Sequence, residues 1–158
     1  MMKRICAGVL VLGLASSPVL ADGKIFVALP DLSSYQGAEA EQFLTALVMA
    51  NVASSNCPAY AVTDEEWSLL TDAADIIAYG TLKLGVDRYD DDYYRPAFAA
   101  LKKAETCDEE GPKVQPLLDR LVEHGGSREA LPDQDKAYKS WRKLMDRLSA
   151  EAEAANAE

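Results

Sequence analysis

The stretch TDEEWSLLTDAADIIAYGTLKL, residues 63–84, decides how the chain folds. Thr63 followed three residues later by Glu66 fits a capping box: the threonine oxygen accepts from an early backbone N–H while the glutamate reaches back to the Thr63 N–H. Asp64 and Glu65 suit the positive end of a helix dipole. Downstream, Trp67, Leu70, Ala74, Ile77 and Leu84 mark one helical face, and Leu69, Ala73 and Ile76 widen it. An apolar face that wide predicts a central helix packed on more than one side, with Gly85 as its stop.

The flanking sequence supplies partners for such a helix. Phe43, Leu44, Leu47, Val48 and Val52 recur at three- and four-residue spacing, which predicts a helix from about Gly37 to Ser55, ended by Asn56-Cys57-Pro58. A third helix is expected from Asp92 to Thr106 with Phe98, Leu101 and Ala104 inward; Pro96 must sit in its first turn or kink it. Gly111-Pro112 opens a fourth, carrying Val114, Leu117, Leu118, Leu121 and Val122 and closed by Gly125-Gly126. Asp133 caps a fifth to about Ala150, with Tyr138, Trp141, Leu144, Met145 and Leu148 on its apolar face. Both tryptophans, Trp67 and Trp141, read as core residues. Lys24 to Leu29 reads as an extended arm against the core, and residues 151–158 as a frayed Ala/Glu tail. The expectation is an all-α domain over residues 22–150, a compact array of four to five helices.

Residues 1–21, MMKRICAGVLVLGLASSPVLA, have the form of a signal peptide: Lys3 and Arg4, then an apolar run, then small residues before Asp22. The apolar run is too short and interrupted for a retained membrane anchor. A periplasmic or secreted product is expected, without stable membrane insertion. Cleavage would remove Cys6, leaving Cys57 and Cys107, which in an oxidising compartment predict one disulfide across 50 residues. No C-x-x-C pair points to thiol chemistry. Cleavage would also take Lys3 and Arg4 but no acid, moving the net charge from −10 to −12. That surface repels nucleic acid and anionic lipid, and favours basic proteins or peptides and cations.

The densest cluster of candidate ligands is Asp87-Arg88-Tyr89-Asp90-Asp91-Asp92-Tyr93-Tyr94-Arg95, read as a flexible acidic loop leading into a helix. Asp87, Asp90, Asp91 and Asp92 are the candidate calcium ligands, although the helix–loop–helix calcium pattern fails: Phe98 occupies the twelfth position and no central glycine is present. Solvated helix-capping carboxylates are the plainer alternative. Tyr89, Tyr93 and Tyr94 would give amphipathic contact area for a basic partner, with at least one of the adjacent pair exposed. His124 suits the C-terminal end of its helix. No glycine–x–serine–x–glycine elbow or glycine-rich phosphate loop is present, and nothing selects a catalytic pair among the many acids. No catalytic residue or cofactor is assigned.

The run ALVMANVASSNCP, residues 46–58, with one later cysteine and a helical remainder, resembles a family of small exported alphaproteobacterial proteins of unknown function. That resemblance implies an all-helical fold with one disulfide. In architecture and cysteine separation the chain is also similar to periplasmic acid-stress chaperones, which implies an acid-responsive holdase. A non-enzymatic interaction or accessory protein is the leading expectation; an acid-responsive chaperone and a divalent-cation binder are the alternatives.

Overall fold

The computed structural model describes residues 23–157, so the expected signal peptide lies outside the described residues. Among the described residues the chain is all-α, with seven α-helices and one disulfide. α1 is Gly37–Asn56; α2, Asp64–Asp75, runs on through a π-helical turn at Ile76–Thr81. α3, Val86–Tyr89, passes through a second π turn, Asp90–Tyr94, into α4, Arg95–Ala100. α5, Thr106–Glu110, joins α6, Val114–Glu123, through a short 3-10 turn, and α7 is Gln134–Asn156.

The capping box forms as the sequence predicts. Thr63 Oγ1 accepts from the Glu66 N–H at 3.2 Å and Glu66 Oε2 accepts from the Thr63 N–H at 3.1 Å. Behind it Leu69, Leu70, Ala73, Ala74, Ile77 and Ala78 are completely buried, so α2 is the central helix. α1 packs on it with its Phe43–Val52 stripe, and Asn51 Nδ2 donates to Thr71 Oγ1 across the contact. Trp67, read as a core residue, is a correction: it is 39% exposed, in the first turn of α2.

The π turns shift helical phase, and that explains where periodicity misled. The Arg95 N–H bonds to the Asp90 carbonyl, five residues back. One extra residue in the turn rotates the downstream helix by about 100°. Ala97 therefore faces the core while Phe98 is 51% exposed, and Ala104 lies in an exposed turn, contrary to expectation. The widened turn also accommodates Pro96, which has no N–H to give an ordinary α ladder.

α6 ends in a Schellman arrangement: Gly125 has φ +94°, its N–H bonds to Val122 O, and the Gly126 N–H bonds to Leu121 O. A Cβ on Gly126 would lie 2.9 Å from both Leu121 O and Leu69 Cδ1, so the turn packs directly on α2. Val122, expected inward, is 41% exposed.

The tail from Glu151, with its good helix formers, continues the last helix, and its end is tied down instead of fraying into solvent. α7 continues to Asn156, Ala152 is buried, and Asn156 Nδ2 donates to the Lys83 carbonyl at 2.7 Å. Glu151 pairs with Lys83 Nζ. Lys83 has φ +50°, a conformation disfavoured for lysine, and the end of α7 holds it there. Alanine and glutamate favour helix, and this contact gives the last turns something to dock against.

Candidate functional site

The N-terminal arm builds the site. Residues 24–29 are extended, Val27 bridges Ala130, and the carbonyls of Phe26 and Ala28 accept from the N–H groups of Leu131 and Ser127. Gln134 completes the seam: its Oε1 accepts from the Phe26 N–H and its Nε2 donates to the Phe26 carbonyl. Val27 enters the main core, while the Phe26 ring lies 5.7 Å from Tyr138 and 5.5 Å from Trp141 on α7.

Between arm and α7 runs an apolar groove of about 490 Å³. Phe26 and Leu29 of the arm, Leu131 and Pro132, and Trp141 and Leu144 of α7 line it. Asp133 and Lys136 are its charged lining residues. A concave apolar wall with few polar groups is the usual form of a binding site.

Behind the groove lies a buried polar cluster. Asp72 is completely buried on α2. Its Oδ1 accepts from Lys24 Nζ and, at 2.9 Å, from Trp141 Nε1. Its Oδ2 has no partner among the described residues. Lys24 Nζ also sits 4.2 Å from the centroid of the Trp141 ring. Burial pushes the Asp72 carboxyl above its usual value, against the pull of Lys24 and Trp141.

One turn on, burial pushes Asp75 up to about 7; the Asp72 charge adds to the shift, and Lys24 and Tyr89 oppose it. Tyr89 donates to Asp75 Oδ1 at 3.3 Å and stands edge-on to Tyr79. Neither Asp72 nor Asp75 lines the groove.

The raised pKa of Asp75 sets a pH dependence. Between the ordinary Asp value of 3.8 and about 7, the folded chain holds a proton on Asp75 that the unfolded chain has released. The native state binds more protons in that window, so stability rises as pH falls through it. Asp31 and Glu151 shift the other way, held down by Ser33 and Lys83 respectively, and they lose their contribution only below their ordinary carboxylate range. The melting temperature should therefore climb from pH 8 to pH 5. Asp75→Asn should flatten that slope; an unchanged slope would place the proton elsewhere.

The segment expected to be an acidic loop is helical. Asp87, Asp90, Asp91 and Asp92 are all exposed on α3 and its π turn. Asp90 and Asp91 each pair with Arg95 at 2.9 Å, and Asp92 lies 3.5 Å from Arg88. These pairs relieve the carboxylate repulsion that suggested a loop. Among the described residues, no three His, Cys, Asp or Glu side chains converge in a way that could hold a metal ion. Tyr89 is buried rather than offered to a partner, and Tyr93 and Tyr94 are half-buried against the core. Phe98, stacked on Tyr94, is the exposed aromatic of this segment. His124 ends α6, and its Nε2 lies 3.4 Å from the Tyr35 hydroxyl.

The sequence reading missed Asp72 and Asp75. The signal was there: Asp72 falls between Leu69 and Ile76 on the widened apolar face of α2, where a solvated acid does not belong.

No protein-family model matches this chain, and neither the curated proteins nor the solved structures contain a significant match.

Proposed function

We propose that this chain is a non-enzymatic interaction protein of the periplasm or the extracellular space, and that it docks an apolar polypeptide segment with basic flanks. The groove between the arm and α7 carries the reading, because it gathers Phe26, Leu29, Leu131, Trp141 and Leu144 on one concave surface. Charge complementarity selects the partner: a chain of net charge −10 attracts basic flanks and repels acidic ones. The signal-like residues 1–21 and the Cys57–Cys107 bond support an oxidising location. An acid-responsive chaperone would need a trigger that loosens the core on acidification, and the buried carboxyls respond in the opposite direction.

The test is a titration with a synthetic peptide of alternating leucine and valine flanked by lysines, read by tryptophan fluorescence. Saturable binding is expected, weaker for the same peptide with glutamate flanks, the gap closing as salt is added. Leu144→Asp should weaken binding at least tenfold by placing a charge in the apolar wall. Equal binding by that variant would remove the groove as the docking site.

A further inference from the structure

We propose that Asp72, Trp141 and Phe26 form a binding cage for a primary alkylammonium group, which the chain's own Lys24 occupies in this structure; the cage shares Phe26 and Trp141 with the groove but does not depend on the groove's having a ligand. The tenant shows the chemistry. Lys24 Nζ bonds to Asp72 Oδ1 and lies 4.2 Å from the Trp141 centroid and 5.8 Å from that of Phe26. Indole is the strongest of the aromatic faces for a cation, and a primary ammonium adds three N–H donors that a quaternary one lacks.

The cage has more acceptor capacity than Lys24 uses. The Asp72 side chain is 1% exposed, yet its Oδ2 has no partner among the described residues. Asp75, one turn along α2, is close enough to feel the Asp72 charge. The tenant is also able to leave: Lys24 precedes α1 on an extended arm, with 18% of its side chain exposed, so its departure breaks no helical hydrogen bond. Tethering gives it a large effective concentration, and an external amine competes well only once the Lys24 side chain has turned away. A lysine side chain of a polypeptide and a free alkylamine share this chemistry.

The experiment uses Lys24→Ala with Trp67→Phe, which leaves Trp141 as the only tryptophan of the chain. n-Butylammonium chloride is titrated against sodium chloride and tetramethylammonium chloride at equal ionic strength. Only butylammonium should give a saturable change in Trp141 emission, with half-saturation on the order of 10 mM and a rise in melting temperature. The response should be at least tenfold weaker with Lys24 retained, and absent when Asp72→Asn is added. A lysine tripeptide with blocked termini that matches butylammonium assigns the site to a lysine side chain; saturation by butylammonium alone assigns it to a free amine. If the alanine variant is unfolded in buffer, butylammonium should restore its helical signal. A response no greater than that to sodium, or no such restoration, overturns the cage.

Discussion

Replacing both half-cystines, as Cys57→Ala with Cys107→Ala, should lower the melting temperature by roughly 10 °C or more, the largest single effect expected in this protein. The bond joins Cys57, at the end of α1, to Cys107, in the first turn of α5, and closes a loop across 50 residues. Chain-entropy arguments put the stabilisation from such a loop at about 4 kcal/mol, acting on the unfolded chain. The folded corner does not depend on the bond alone. Gly111 lies so close to Tyr60 that a Cβ there would stand 2.1 Å from the ring, and the turns at Pro58–Tyr60 and Gly111–Lys113 pack together. The double variant should therefore keep its helical circular dichroism at 25 °C while melting earlier. Reduction of the unmutated protein should give the same shift. A shift under about 3 °C would mean that the unfolded chain is already compact around this corner.

Much of that architecture is legible in residue spacing, and each of its failures has its own physical cause. Helix starts announced by side-chain chemistry fall where Thr63 and Asp133 place them, because a cap is a local hydrogen bond independent of tertiary context. The apolar stripes of α1 and α6 are legible for the same reason; their period is that of the helix. Periodicity fails after Asp90, where the π turn adds a residue that no pattern counts, exchanging Phe98 for Ala97 at the core. At 151–156 helix is legible from alanine and glutamate, but its docking is not, because they give no apolar stripe to announce the contact with Lys83. The groove is less legible still. Its walls come from residues 26–29 and 131–144, and only the pairing of Val27 with Ala130 brings them together. Charge density directed attention to 87–95, where arginines at helical spacing neutralise the acids. The carboxyls whose pKa values are raised are instead Asp72 and Asp75, one turn apart on α2.

Asp72→Ala should destabilise the fold by about 3 kcal/mol, nearly as much as loss of the disulfide, although it removes a carboxyl whose own burial is costly. The upward shift at Asp72 means that desolvation outweighs what Lys24 and Trp141 return to the charged form. Truncation does not recover that cost. It leaves the Trp141 Nε1–H without its acceptor and the Lys24 ammonium against aromatic rings with no counter-ion. Because Lys24 retains 18% side-chain exposure, its side chain should turn outward and hydrate the ammonium, which holds the loss to the low end for a broken buried pair. Removing both charges is a different matter. Asp72→Leu with Lys24→Met replaces the ion pair by apolar groups of similar size, and should recover most of the stability that Asp72→Ala loses. The Asp72 charge also raises the pKa of Asp75, so either Asp72 substitution should shrink the rise in melting temperature between pH 8 and pH 5. Denaturant melts of Asp72→Ala, Lys24→Met and the double substitution at those two pH values test this. If the double substitution is no more stable than Asp72→Ala, the cluster contributes through the Trp141 hydrogen bond and not through its charges.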